Sequence, residues 1–305
     1  MKNVIRSRSH AELLLAAVIT ARATSYLFSK LIMASMSMFN LLGIRFLLAF
    51  LLLVILFSRQ IRTIDRKSFT AGIIMGSMYF LVMTAELSGL KRTSSGNVSF
   101  LENTAIVIVP LLQAALMHRL PRWKAVICAL ICLFGVGFLT IGSGLNFGAG
   151  EMFCMLAAFL YACAIVITDR LTHENIDSLA AGIIQVGTIG TLSMAASLLC
   201  ETPRLPSGML EWTGILMLAV VCTGFGVTLQ PVAQSGTTAE RAGLFCALNP
   251  MVAALLGVFF LQETFTVQSA IGGGLILAGI LLSELPEPKG MLIFLRGLLF
   301  RSVRT

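Results

Sequence analysis

The chain has 305 residues, 57% of them hydrophobic and only 12% charged, with a formal net charge of +8. An ordinary soluble domain is about 45–50% apolar, so this composition leaves no room for one and indicates a membrane protein. The basic excess does not indicate nucleic acid either, because it follows the ends of apolar runs instead of gathering on one face.

A bilayer needs about 20 apolar residues per helix, and runs near that length follow one another along the chain. They are Glu12 to Met33, Met38 to Phe57, Phe69 to Leu90, Val98 to Met117, Trp123 to Ile141, Glu151 to Thr168, Leu179 to Leu199, Trp212 to Gln230, Ala242 to Leu261 and Val267 to Leu282. The predicted fold class is therefore an all-α membrane protein with ten transmembrane helices, since a barrel would alternate with period two and these runs do not. The opening "MKNVIRSRSHAELLLAAVITARA" resembles a signal peptide down to Ala21–Ala23, but Arg22 inside that site argues for retention. Residues 1–11 are then a cytoplasmic N-terminus.

Placing that terminus inside puts sixteen of the 22 Lys and Arg on the cytoplasmic side, among them Arg59, Arg62, Arg66, Lys67, Arg119, Arg122 and Arg241. Lys30, Lys91, Arg92 and Arg204 fall outside, and Arg22 and Arg45 lie within spans. Translocating Lys and Arg is disfavoured, so both termini are expected in the cytoplasm of a cell whose inner membrane holds the protein.

The second half repeats the first. A shift of 144 aligns the region after Thr70 and brings Gly135 onto Gly279 and Leu133 onto Leu277; a shift of 139 aligns Glu12 with Glu151 and Gly43 with Gly182. The loop "CETPRLPSG" absorbs the difference. Five spans per repeat is an odd number, so repeats over 12–141 and 151–283 enter the membrane in opposite senses. Such inverted repeats present one central site to either side by rocking.

"GLFCALNPMVAALLGVFFLQETFTVQSAIGGGLILAGILLS", Gly243 to Ser283, resembles the closing segment of an EamA-type member of the drug/metabolite transporter superfamily. "SSGNVSFLENTAIVIVPLL" resembles the matching segment of the first repeat, with Ile106 where the second repeat has Pro250. The resemblance implies two inverted five-helix repeats and a cavity lined by the first, third and fourth helices of each. It implies transport of small metabolites.

A charge at mid-bilayer costs roughly 2.5–3.5 kcal/mol even on the lenient insertion scale, so it needs water, a partner or a task. Arg22, Arg45, Glu86 and Glu102 qualify, and their register partners are Tyr161, Ile184, Gln230 and Cys246. Helical spacing gathers three polar stripes: Arg22, Ser25, Tyr26 and Ser29; Tyr79, Met83 and Glu86; Ser95, Ser99 and Glu102. The candidate substrate-binding or coupling residues are Arg22, Tyr26, Tyr79, Glu86, Ser99, Glu102, Tyr161 and Gln230. Two readings stand for the charges: a cavity wall with Glu102 as proton site, or closed ion pairs of Arg22 with Glu102 and Arg45 with Glu86. Arg45 has no polar stripe on its own helix, so it is expected to be structural and to snorkel outward. Glu86, near its span's end, can also be interfacial.

Seven cysteines lie almost wholly within spans, without CxxC or interleaved His, which points to packing instead of a disulfide or metal. No HExxH or GxSxG occurs, so an intramembrane enzyme is disfavoured and no cofactor is expected. Asn249–Pro250 is expected to act as a hinge, and Gly272–Gly274 as a helix-contact surface. Residues 286–305 read as a basic amphipathic helix on the inner leaflet, or as a disordered tail. The expected partners are a small-molecule substrate, protons and the lipid bilayer. The leading function is a secondary exporter of amino acids or related amphiphilic compounds; a lipid or lipid-linked sugar flippase on the same scaffold is the alternative.

Overall fold

A computed structural model of the protein describes residues 8–93, 95–118, 120–140, 148–174, 176–252 and 267–284. Within these ranges the side chains of Arg8, Tyr26, Leu27, Lys30, residues 95–97, Ser99, Leu139, Thr140, Gln268, Ser269 and Glu284 are not described. The 286–305 tail therefore lies outside the described residues.

Every described regular element is a helix. In chain order they are α1 (Arg8–Ala23), α2 (Ser25–Ile32), α3 (Met38–Leu56), the short α4 (Ser58–Arg62), α5 (Arg66–Leu90), α6 (Ser95–Asn103), α7 (Ala105–Leu116), α8 (Trp123–Thr140), α9 (Ala149–Thr172) and α10 (Ser178–Cys200). Then come α11 (Met209–Met217), a π-helical segment (Leu218–Val227), α12 (Thr228–Gln234), α13 (Ala239–Phe245) and α14 (Val267–Glu284), with helical residues also at 248–252. Five stretches are long and apolar enough to cross a membrane: Met38–Leu56, Arg66–Leu90, Ala149–Thr172, Ser178–Cys200 and Met209–Gln234. Phe100–Leu116, Trp123–Phe138 and Ala270–Ser283 are shorter apolar stretches.

Side-chain caps set where the long helices begin. Asp65 accepts from the Ser68 amide at 3.2 Å and from its hydroxyl at 2.5 Å, starting α5. These bonds hold the Asp65 carboxyl below the usual carboxylate range. Asp177 caps α10 through the amides of Leu179 and Ala180, and its own amide donates to Ser68 Oγ at 2.8 Å. One hydroxyl thus ties the starts of two parallel helices together. Glu201 accepts from the amides of Phe39 and Asn40 at the start of α3, where a carboxylate also meets the positive end of the helix dipole. The loop after α10 is therefore a clamp on α3 as well as a connector.

The fourth predicted span is two helices, and the ninth breaks at the matching place. Thr104 interrupts the first pair, its hydroxyl donating to the Leu101 carbonyl at 2.6 Å and competing with the backbone ladder. In the second repeat α13 ends at Phe245 and helix resumes at 248, four residues or fewer before Pro250. Proline has no N–H to return to residue i−4, so the break falls where its ring demands it. A helix break thus lies just before Asn249–Pro250.

Small residues let the helices approach closely. An added Cβ on Gly135 would lie 2.7 Å from the Gly272 carbonyl oxygen, and one on Gly279 would lie 2.5 Å from Cys132 Sγ. The 144-residue shift turns Gly135 into Gly279, Cys128 into Gly272 and Cys132 into Ile276. Cys132 Sγ also approaches the Ile276 carbonyl at 3.6 Å. The α8–α14 seam is therefore antiparallel and self-complementary, as an isologous interface is.

The tightest contact is Gly182 on α10, where a Cβ would sit 2.2 Å from the Thr228 carbonyl oxygen. Gly182→Ala is expected to destabilise by about 1–3 kcal/mol through overpacking, whereas Gly274→Ala, with nothing within 4 Å of its Cβ, should be neutral or mildly stabilising. Thermal unfolding in detergent measures both, and equal tolerance at the two positions would contradict this packing.

Candidate functional site

The deepest polar group is assembled from both halves. Arg22, at the last turn of α1, donates through Nη1 to Tyr161 Oη on α9 at 3.1 Å and to Gln230 Oε1 on α12 at 2.5 Å. Gln230 Nε2 in turn donates to Tyr79 Oη on α5 at 2.6 Å. Arg22 lies over both phenol rings, 5.8 Å from the Tyr79 centroid and 5.5 Å from that of Tyr161, and the rings pack edge to face at 6.0 Å. Tyr161 Oη lies 3.3 Å from Cys246 Sγ, just past the end of α13. Tyr79, Tyr161 and Gln230 are each 2% exposed or less. Tyr161 and Arg22 differ by 139 positions, the shift that relates the repeats, so the central bond joins a residue to its own register partner.

Local backbone features aim these groups inward. Helix α1 stops at Ala23, and its Ala21 carbonyl accepts from Thr24 Oγ1 at 2.9 Å and from Cys222 Sγ at 3.3 Å. The π-helical segment forms the facing wall: a Cβ on Gly226 would lie 2.7 Å from Arg22 Cγ. Wide π turns are rare and concentrate at functional sites, because the extra residue per turn re-aims side chains. Thr228 Oγ1 donates to the Thr223 carbonyl five residues back at 3.3 Å, matching that wider spacing.

Arg45 differs from the expectation. It does not snorkel: it is 2% exposed, donating through Nε to Thr223 Oγ1 at 2.7 Å and through Nη1 to Ser25 Oγ at 3.5 Å. Its polar neighbours come from α2 and the π segment, which explains why its own helix carries no stripe. Glu86 is buried, not interfacial, and the charged groups acting on it are Glu102, Arg22 and Arg45. Glu102 is buried at the end of α6. The hydrogen bonds of Arg22 go to neutral acceptors, so the site is a polar network with four charges around it, not two closed pairs. Ser29 is buried, while the side chains of Tyr26 and Ser99 lie outside the described residues. Cys246 and Thr223 were not singled out as site residues in the sequence, because a lone thiol or hydroxyl in an apolar run carries no pattern.

Each end of this centre carries a polar contact between repeats. Glu12 on α1 pairs with Arg241 on α13 at 2.5 Å, and Arg241 Nη2 donates to the Ser283 carbonyl at 3.2 Å. Glu151, the register partner of Glu12, accepts from Thr93 Oγ1 and from the Gly148 amide. Among the described residues no group of three or more His, Cys, Asp or Glu is placed to hold a metal ion.

A helical bundle with apolar walls and a polar centre shared by two repeats is the architecture of a membrane transporter. The chain belongs to the EamA-like transporter family, which it matches twice, over residues 10–141 and 148–285. It is 25% identical over 288 residues to an uncharacterized transporter of Archaeoglobus fulgidus, covering 92% of this chain and 98% of that protein. To the uncharacterized transporter YetK of Bacillus subtilis it is 23% identical over 299 residues, covering 94% and 90%. A biotin transporter of Salmonella typhimurium is 26% identical over 195 residues, 63% of each chain. One solved crystal structure, 19% identical, shares the fold with a TM-score of 0.76 over 91% of this chain and 97% of that one.

Gln230 is both acceptor for Arg22 and donor to Tyr79, so its loss strands two partners. Tyr79→Phe should cost about 1–3 kcal/mol by leaving the buried Gln230 amide unsatisfied, and Gln230→Leu should cost more. In a double-mutant cycle read by thermal unfolding, the pair should cost less than the sum of the singles. Strict additivity would contradict the network.

Proposed function

We propose that this chain is a secondary transporter of small metabolites, of the amino-acid or related amphiphilic class. It works by alternating access, outward, in exchange for protons. In this reading ten spans form inverted repeats over 12–141 and 151–283, with both termini in the cytoplasm and the Arg59–Lys67 segment on the same side. The observation that carries it is the network of Arg22, Tyr79, Tyr161 and Gln230, buried where α1, α5, α9 and α12 meet. A charged and aromatic centre contributed by both halves suits a solute with a charged group and an apolar body, and it can be opened from either side.

The rest of the cycle follows from the ends. The Glu12–Arg241 pair closes the cytoplasmic side and the Glu151–Thr93 contact the opposite one, the first joining α1 to α13 and the second joining α9 to the turn between α5 and α6. A half-buried ion pair returns little net free energy over its solvated partners, so such a pair suits a gate that must release. Glu102 and Glu86, close enough to act on one another, are the candidate proton sites. A carboxyl there exchanges its proton each time water reaches it.

One observation favours the flippase as a second reading. An apolar groove of about 290 Å³, lined by Ala49, Leu53, Phe57, Leu179, Phe225 and Leu229, lies between α3, α10 and the π segment. It opens beside lipid-facing residues such as Leu56 and Val220.

Purified protein in proteoliposomes, loaded with a panel of labelled water-soluble metabolites that includes amino acids and biotin, tests the proposal. Release of at least one of them, faster than from empty liposomes and dependent on Arg22, is expected; release of none, with flipping of labelled lipid, would transfer the function to the flippase. Glu102→Gln should abolish accumulation against a gradient while sparing solute exchange, because a neutral amide mimics the protonated acid. Full gradient-driven transport by that variant would remove Glu102 from coupling.

A further inference from the structure

Arg22 and Arg45 are both buried in the membrane interior, yet their hydrogen bonding differs. The described contacts of Arg22 saturate the nitrogen that faces the centre, with Tyr161, Gln230 and two rings around it. Arg45 is held from one side only. Thr223 takes Nε and Ser25 takes Nη1, while Nη2, buried, meets no acceptor among the described residues. It is the one cationic atom among the buried side-chain atoms left without a partner there. Burying a guanidinium edge without an acceptor is costly, and a fold keeps such an edge where something else supplies the acceptor.

We propose that Arg45, fixed by Thr223 and Ser25, is the anion subsite of the transport site: it takes the substrate's carboxylate, while Arg22 is the scaffold that joins the two repeats. This rests on the transport reading given above. The geometry selects a carboxylate over other anions. A guanidinium held at Nε and Nη1 fixes the plane in which Nη2 presents its N–H donors, and a carboxylate oxygen can accept there through a charge-assisted bond. Arg45 offers one positive charge, which balances a monovalent carboxylate and leaves a doubly charged anion such as phosphate uncompensated; Glu86 is near enough to act on both arginines and on Glu102. Thr223 lies in the π segment, so the wide turn supplies the hydroxyl that orients Arg45. Glu86 and Glu102 stand ready for the proton or for a positive group on the same solute.

Acetate is the minimal probe. Thermal unfolding of the full-length protein in detergent is followed against sodium acetate, with sodium chloride and sodium phosphate at matched ionic strength. The expected result is saturable stabilisation by acetate beyond chloride and phosphate. Loss of a charge-assisted bond should weaken acetate at least about tenfold in Arg45→Gln, with Arg45→Lys and Thr223→Val in between, and a smaller change in Gln230→Leu. If Arg45→Gln does not fold, Thr223→Val and Arg45→Lys carry the same comparison. No acetate-specific stabilisation of the unmodified protein, an equal acetate response in Arg45→Gln, or tighter phosphate than acetate would each overturn the subsite. A protein that transports neutral or cationic solutes but ignores acetate would refute this inference and leave the transport reading standing.

Discussion

The structure depends on the solvation of one guanidinium. Arg22 sits in the last turn of α1, buried between the two repeats, where an unsolvated charge is not tolerated. Its acceptors come from α9 and α12, in the other repeat, and its ring contacts from one tyrosine of each. The halves are therefore joined at the centre by charge-assisted hydrogen bonds that hydrocarbon cannot replace. Elsewhere they meet through further polar contacts, such as Glu12–Arg241 and Arg45–Thr223, and through small residues, as at the α8–α14 seam.

The repeats keep the scaffold and vary the chemistry. Both break the helix that faces the centre, one by the back-bonding of Thr104 and the other just before Pro250. Both fix the first helix of the repeat with a glutamate, Glu12 against Arg241 and Glu151 against Thr93. Among the described contacts Glu12 meets an arginine and Glu151 a hydroxyl. The charged residues of the centre lie in the first repeat, and neutral acceptors answer them from the second.

Much of this was legible in the sequence. The apolar runs mark the long helices, and the two shifts make Tyr161 and Gln230 the register partners of Arg22 and Glu86; the structure brings both Tyr161 and Gln230 to Arg22. Helical spacing put Tyr79 and Glu86 on one face. What stayed hidden was whatever depended on backbone departures from the ideal helix. No residue pattern announces the π turn at Leu218–Val227, and without it the partner of Arg45 is invisible; Arg45 therefore read as a snorkelling residue. Charge alone pairs Arg22 with Glu102, but it does not decide between a carboxylate and an amide as acceptor, and the structure gives Gln230. The helix breaks at Thr24, at Thr104 and at Cys246–Ala247 are likewise beyond what hydrophobic spacing foresees.

The central claim is that the Arg22 network lies on a path open in turn to each side. Cys246, against Tyr161 and 2% exposed, is a native reporter of it. In a variant retaining that cysteine alone, reconstituted in vesicles of known orientation, an impermeant methanethiosulfonate is applied from one face and then from the other. The account predicts slow modification from both faces, slowed further by transported solute. Modification from neither face, in a protein that still transports and whose Cys246 reacts on unfolding, would contradict it.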